Sequence, residues 1–107
     1  MRRSFTAVVE RNAVFTSDFA TEPYEAAWAS EARWFVRVLE IAPGAALHIA
    51  AQVSPDGLFW CDAGEILVLK APGMSSFGLR DFGHWLRLNA SLKGPSVKLH
   101  IYLALKE

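Results

Sequence analysis

The segment 97–106 constrains the fold more than any other part of this sequence. Its side chains alternate strictly, and the apolar members are Val97, Leu99, Ile101, Leu103 and Leu105. A period of two places all five on one face of an extended strand. The pattern therefore predicts a strand that is buried on one side and exposed on the other.

Similar short segments recur along the chain, separated by turns that contain Gly or Pro. The predicted strands are Phe5–Glu10, Arg33–Ile41, Ala46–Val53, Leu58–Trp60, Glu65–Lys70, Ser75–Arg80, His84–Leu92 and Val97–Lys106, with a turn expected at Asn12-Ala13. A turn about every 8–12 residues is typical of all-β sandwiches and barrels. No segment has the length and period of a crossover helix. We predict that residues 1–107 form one antiparallel β-sandwich of seven to eight strands, with jelly-roll or immunoglobulin-like topology.

The segment Ser17–Ala32 fits this scheme least well. Four alanines in its second half, Ala26, Ala27, Ala29 and Ala32, favour helix, and Pro23 suits a first helical turn. Its apolar residues do not form the stripe of an amphipathic helix. We expect a loop or edge segment with up to one helical turn.

The stretch Ser54–Trp60 predicts a hairpin. Pro55 presets φ for the second position of a tight turn, and Gly57 accepts a positive φ. Trp60 is expected to anchor the return strand. Asp56 and Asp62 are assigned backbone roles in turns rather than a role as paired catalytic carboxylates.

Composition limits the classes of partner. The 107 residues carry 11 Lys plus Arg and 11 Asp plus Glu, without a block of like charge. A basic footprint for nucleic acid is therefore missing, and no nucleic-acid partner is predicted. Four Trp, seven Phe and 52% hydrophobic residues are many for so small a chain. With zero formal charge, they favour self-association or a docking surface over the alternative, a well-filled core with a few exposed rings.

Catalytic motifs are absent from the sequence. No Gly-x-Ser-x-Gly elbow or phosphate-binding loop occurs, and His48, His84 and His100 lack ligand-spaced partners. By strand parity, His48 and His100 meet only if their strands are neighbours. Cys61, the only cysteine, is predicted to be a buried or half-buried structural thiol. We predict a non-enzymatic protein without metal or cofactor.

The first residues, Met1–Thr6, superficially resemble a twin-arginine export signal, but charged residues soon follow instead of an apolar segment. No apolar run approaches the roughly 20 residues of a membrane helix. We expect cytoplasmic synthesis without a signal peptide and no membrane partner.

One set of side chains suggests an interaction surface. These residues have the outward parity of their strands and are Phe35, Arg37, His48, Gln52, Trp85, Arg87, His100 and Tyr102. Aromatic residues and Arg are enriched at protein interfaces. The alternatives are a sugar platform, with rings stacking on the sugar, and an ordinary solvated sheet face.

The pattern Gln52-x-Ser54-x-Asp56-Gly57-x-x-Trp60, followed by the segment 82–88 and the closing amphipathic strand, resembles small β-sandwich accessory proteins of tailed-phage and prophage particles. The resemblance covers residues 33–105 and carries over no functional residue. It implies a decoration, fibre or tail-associated subunit that acts as an oligomer. We therefore predict a structural protein that associates with itself or with other particle proteins, as part of a virion or similar particle. A carbohydrate-binding module is the alternative, and a metal-dependent enzyme of cupin-like shape is a third hypothesis.

Overall fold

Nine strands are present in the computed structural model, which describes residues 2–107 except for the side chain of Glu65. The strands are β1 (Ser4–Phe15), β2 (Phe19–Ala20), β3 (Tyr24–Glu25), β4 (Glu31–Ile41), β5 (Ala46–Ser54), β6 (Cys61–Leu69), β7 (Gly73–Arg80), β8 (Trp85–Lys93) and β9 (Val97–Lys106). Within the described residues, no helix has the length and apolar character needed to cross a membrane.

The strands form two antiparallel sheets. Sheet 1 has the order β1-β9-β4-β7. Sheet 2 has the order β2-β8-β5-β6, and β3 also pairs with β8. The predicted all-β antiparallel sandwich is therefore confirmed.

The pairing of the strands shows that the sandwich is a jelly roll. β1 pairs with β9, β2 and β3 pair with β8, β4 pairs with β7, and β5 pairs with β6. The chain is thus one long antiparallel ribbon whose two halves run side by side and wrap around the core. Two further pairings, β4 with β9 and β5 with β8, join the ribbon into sheets. This winding is the double Greek key of a jelly roll, which decides between the two predicted topologies.

A jelly roll has eight strands, and this chain has nine because two short strands, β2 and β3, together occupy one strand position beside β8. Between β2 and β3, the Thr21 hydroxyl accepts a hydrogen bond from the Leu88 N–H at 2.9 Å. Pro23 has no N–H to continue the pairing. The segment 17–32 is therefore an edge segment, as predicted, but it contains a turn at Ala27-Trp28 instead of a helical turn.

The core lies between the two sheets and follows the predicted alternation. The inward residues of the four central strands, β4, β5, β8 and β9, are almost fully buried; they include Trp34, Val36, Val38, Leu47, Ile49, Leu86, Leu88, Leu99, Ile101, Leu103 and Leu105. Inward residues of the outer strands, such as Val9, Phe15, Phe77 and Leu79, are partly buried. Since alternate residues of a strand point to opposite faces, the side chains between these positions form the two outer faces of the sandwich.

Three local predictions are wrong. β1 continues through Asn12, whose φ is 49°, because a register shift against β9 absorbs the distortion as a bulge. Residues 62–64 are not a turn but part of β6, where Gly64 (φ 85°) lies in another register shift. Residues 58–60 are not a strand, because the side chain of Asp56 accepts hydrogen bonds from the N–H groups of Leu58 and Phe59.

Candidate interaction surfaces

The eight residues predicted to form an interaction surface lie on two opposite faces. Phe35, Arg37, His100 and Tyr102 belong to β4 and β9 of sheet 1, and His48, Gln52, Trp85 and Arg87 belong to β5 and β8 of sheet 2. Each alternates with buried core residues of its strand, so each is on an outer face. The structure thus gives two groups of four instead of one patch. His48 and His100 do not meet, because their strands are in different sheets.

The four residues of sheet 1 are direct neighbours. Phe35 is opposite Tyr102, and Arg37 is opposite His100 in the register of β4 and β9. The rings of His100 and Tyr102 are stacked, with centroids 5.1 Å apart. Val8 on β1 is opposite Tyr102 and 41% exposed. This side of the sheet therefore presents an aromatic and apolar row beside a cationic side chain.

A depression lies next to this row on sheet 1. Arg33 is opposite both Gly78 and Ala104, and these two small residues leave room beside Phe35. The space has a volume of about 570 Å³. Arg33 Nη1 donates to Ser76 Oγ at 3.1 Å. We call this space the Gly78 depression.

Cations surround the Gly78 depression. Arg80, Lys106 and Glu31 line it together with Arg33, and Arg80 Nη2 is 2.9 Å from Glu31 Oε2. Sequence reasoning missed these cations, although Arg33 and Lys106 have the same outward parity as Arg37 and Tyr102. Parity alone was sufficient to find them. The depression itself depends on which strands are neighbours, and the sequence does not contain that information.

Three of the four residues on sheet 2 lie at one end of the sheet. Arg87 Nε donates to Gln52 Oε1 at 2.7 Å, and Gln52 Nε2 donates to Asp62 Oδ1 at 2.9 Å. The Arg87 guanidinium carbon is 4.3 Å from the ring centre of Trp60. The Arg87 guanidinium is therefore held in place by Gln52 and the Trp60 ring. His48 lies further along β5, opposite Val68 and Ser91.

The β5–β6 hairpin tip, residues 54–60, is held by its own side chains. Ser54 Oγ accepts hydrogen bonds from the N–H groups of Asp56 and Gly57 at 3.2 and 2.9 Å. Asp56 Oδ1 accepts from the N–H groups of Leu58 and Phe59 at 2.9 and 3.1 Å. These backbone donors, first Leu58 and then Phe59, lower the pKa of the Asp56 carboxyl below its usual range. The carboxylate form therefore stabilises the loop.

The hairpin tip presents two large apolar side chains to solvent. Leu58 is 76% exposed and Phe59 is 77% exposed, the largest values among the exposed apolar side chains. The exposure of both side chains was not predicted, because a strand over 58–60 would have placed one of them inward. An ordered loop that exposes two such residues is a candidate contact point.

Replacement of Gly57 by valine tests the hairpin. Gly57 has φ 79°, which confirms the predicted positive φ, and an added Cβ would contact the Trp85 ring at 3.4 Å. Because a β-branched residue resists this conformation, we expect Gly57→Val to lower the free energy of unfolding by about 1–3 kcal/mol. Urea denaturation measures the change. The control is Gly78→Val, where φ is ordinary and no loss is expected; equal effects of the two substitutions would contradict the assignment.

An aromatic cleft lies where the start of β1 approaches β3. It has a volume of about 920 Å³, and Phe5, Tyr24, Trp28 and Trp85 contribute its rings. The Arg3 guanidinium carbon is 4.4 Å from the Trp28 ring centre, and Arg3 also pairs with Glu107 at 3.3 Å. His84 Nε2 is 3.2 Å from Glu25 Oε1 beside the cleft. Most charges near this cleft therefore already have partners.

Groups with metal-binding potential are few. Among the described residues, no three His, Cys, Asp or Glu side chains are close enough to hold a metal ion. Cys61 is exposed, with Sγ 3.7 Å from the Val53 carbonyl oxygen, so the prediction of a buried or half-buried thiol is wrong. The strand β6 begins at Cys61 on the edge of sheet 2, which explains this exposure.

Solved structures with the same fold come from prophages and viruses. The exported protein XepA of prophage PBSX matches with a TM-score of 0.74 and 8% identity, over 94% of this chain and 36% of XepA. The SPBc2 prophage-derived protein YomS matches with a TM-score of 0.61 and 8% identity, over 100% of this chain and 96% of YomS. Infectious bursal disease virus, Gx strain, matches with a TM-score of 0.68 and 10% identity, over 98% of this chain and 32% of the viral chain.

These matches establish the fold. The chain spans about a third of XepA and of the viral chain, and nearly the whole of YomS. No protein-family model matches the sequence, and no curated protein matches it either. The resemblance to β-sandwich proteins of phage-like particles, which the sequence suggested, is confirmed at the level of the fold. Residue roles do not follow from such low identities.

Proposed function

We propose that this protein is a non-enzymatic structural subunit that associates with itself, or docks on a larger phage-like particle, through its aromatic and Arg-bearing sheet faces. The observation that carries the proposal is the row of Phe35, Tyr102 and Val8 across three neighbouring strands of sheet 1, next to Arg37. Aromatic side chains and Arg in contact with one another are typical of the centres of protein interfaces.

The fold supports this proposal. Jelly rolls with the same architecture occur in two prophage-derived proteins and in a virus, which is itself an assembly of protein subunits. Exposed apolar residues give further support. Besides Leu58 and Phe59, they include Val8, Ile66, Val68 and Met74. So many exposed apolar side chains on a chain without net charge favour association.

The carbohydrate-binding alternative has no comparable support. The solved structures described above do not favour it. On sheet 2, Arg87 and Gln52 are hydrogen-bonded to each other, and Gln52 also to Asp62. The hydrogen bonds that these side chains already form leave fewer donors and acceptors for sugar hydroxyls.

The oligomeric state tests the proposed function. We expect sedimentation velocity over a series of protein concentrations to show species heavier than the 11.8 kDa chain. Tyr102→Ala should weaken this association by about 1–2 kcal/mol, because it removes a ring from the centre of the row. Sedimentation velocity of the chain mixed with purified particle proteins tests whether it docks on a partner.

Val14→Ala is the matched control. Val14 is 62% exposed and lies opposite Lys98, away from Tyr102 on the same sheet. Its truncation should leave association unchanged. A clean monomer at every concentration, without binding to particle proteins, would contradict the proposed function. Equal effects of Tyr102→Ala and Val14→Ala would contradict the role of the aromatic row.

A further inference from the structure

The charges of this protein are separated although their sum is zero. The outer side of β4, β7 and β9 carries five cations, Arg33, Arg37, Arg80, Lys98 and Lys106, and two carboxylates, Glu31 and Glu40. Since the chain has 11 of each sign, the remainder holds six cations and nine carboxylates. The outer side of these three strands of sheet 1 is therefore positive, and the rest of the molecule is negative.

The hairpin tip lies in the negative part. Asp56 and Asp62 flank Leu58 and Phe59 in the sequence, and the N–H groups of Leu58 and Phe59 lower the pKa of the Asp56 carboxyl further below its usual range. Hydrogen bonds that Ser54 Oγ and Asp56 Oδ1 accept from backbone N–H groups already fix the backbone of the tip. A preformed loop loses little conformational entropy on binding. The tip is thus an ordered apolar projection with two neighbouring carboxylates, and the Arg87 guanidinium carbon lies 4.3 Å from the centre of the Trp60 ring at its end.

The Gly78 depression has the opposite character. Gly78, Ala104 and Phe35 are among its lining residues, Arg33, Arg80 and Lys106 contribute cations, and Glu31 contributes one carboxylate. The Arg33 guanidinium reaches over Gly78, since its Nη2 would be 3.1 Å from a Cβ added there. Its volume of about 570 Å³ is sufficient for a large apolar side chain. The depression thus combines small and aromatic lining residues with an excess of cations, which complements the apolar hairpin tip and its carboxylates.

We infer that the hairpin tip of one copy of this chain docks in the Gly78 depression of a second copy. This inference rests on the proposed function, because it requires self-association. The tip is on sheet 2 and the depression is on sheet 1, so the two contacting surfaces differ. Such a contact is heterologous, and its repetition gives a ring or a filament instead of a two-fold dimer. A second copy is the favoured occupant because the two complementary surfaces belong to one chain of zero net charge.

The aromatic cleft near Trp28 is a less suitable receptor. Of the two arginines that line it, Arg3 is paired with Glu107, so the cleft offers fewer unpaired cations than sheet 1 does. On sheet 1, by contrast, only Arg80 is paired with a carboxylate in the described structure. Electrostatic complementarity therefore selects sheet 1.

Two variants remove one side of the contact each. Phe59→Ser removes the exposed ring of the tip, and Gly78→Val fills the depression. At Gly78 the backbone φ is ordinary. An added Cβ meets the flexible end of Arg33, at 3.1 Å from Nη2, and the Ala32 carbonyl oxygen at an ordinary contact distance of 3.6 Å, so the fold should persist. Valine also favours strands. We expect each variant alone to associate about 30-fold more weakly than the parent protein, as for a central interface residue.

Mixing the two variants is the decisive step. The intact hairpin of Gly78→Val fits the intact depression of Phe59→Ser, and only one contact per pair forms. An equimolar mixture should therefore stop at twice the chain mass of 11.8 kDa in light scattering. Phe5→Ser, in the aromatic cleft, is the control and should assemble like the parent.

The outcomes separate this inference from the proposed function. If the parent associates and Gly78→Val associates equally well, the inference fails and the proposed function stands. A mixture that is no more associated than its components also overturns the inference, as does loss of assembly in Phe5→Ser alone. A parent that is monomeric at all concentrations overturns the head-to-tail contact, and docking on particle proteins then decides the proposed function separately. Circular dichroism verifies that each variant is folded.

Discussion

Replacement of Trp34 by alanine is expected to lower the free energy of unfolding by about 3–5 kcal/mol. Trp34 is fully buried in β4, where its cross-strand neighbours are Leu103 on β9 and Phe77 on β7. Removal of the indole takes away a large apolar contact area and leaves a cavity between the sheets. Domains of this size are stable by about 5–15 kcal/mol, so the variant should lose a large part of its stability. The midpoint of urea denaturation measures the loss.

Leu58→Ala is the control for this experiment. Leu58 is also a large apolar residue, but it is 76% exposed at the hairpin tip. Its truncation should change the unfolding free energy by less than about 0.5 kcal/mol. A similar loss for Leu58→Ala and Trp34→Ala would contradict the placement of these two residues. The pair therefore separates burial from hydrophobicity.

The sequence predicts the core well because alternation is a local property. In β9, the five inward residues from Val97 to Leu105 were predicted from period two alone, and all are at most 1% exposed. The same pattern places Trp34, Val36 and Val38 correctly. Strand order is different, because it depends on pairs that are far apart in the sequence. The pairing of Ser4 with Lys106, for example, has no local trace. Jelly-roll and immunoglobulin-like topologies therefore remained equivalent at that level.

Local patterns also fail where side chains compete for backbone hydrogen bonds. Leu58 and Phe59 have the apolar character of strand residues, but their N–H groups bond to the Asp56 carboxylate. The return strand consequently begins at Cys61 instead of Leu58. Asp56 is only two or three residues from these N–H groups. Its tendency to form turn hydrogen bonds is a weaker sequence signal than the apolar run Leu58-Phe59-Trp60, which indicates a strand.

The interaction surfaces were predictable only in part. Outward parity selects individual residues such as Arg37 and Tyr102, but it does not tell which sheet they belong to. The same limitation applies to charge. A total of zero conceals a basic sheet 1 face, because the compensating carboxylates are on other elements, such as Asp56 and Asp62 beside the hairpin tip. The separation of charge becomes visible only when the strands are assigned to sheets, and it bears directly on how copies of the chain would assemble.

The contact between two turns is a further consequence of the jelly-roll winding. The β4–β5 connection passes from sheet 1 to sheet 2, and the β8–β9 connection returns from sheet 2 to sheet 1. The Ala42 N–H donates to the Ser96 carbonyl at 3.2 Å, which joins the two connections. Gly94 lies against Ala45, which is 3% exposed. The turn at Gly94 was predicted, but its neighbour was not.

Gly94→Val is therefore expected to be strongly destabilising. The φ of Gly94 is 126°, which a β-branched residue resists, and an added Cβ would collide with the Cβ and Cα atoms of Ala45. Backbone strain and overpacking together should lower the unfolding free energy by at least about 3 kcal/mol. The control is Gly44→Val, where φ is also positive, at 79°, but no atom lies within 4 Å of the added Cβ. Only the strain of about 1–3 kcal/mol applies there. If urea denaturation gave equal losses for the two variants, the close contact between the β4–β5 and β8–β9 turns would be refuted.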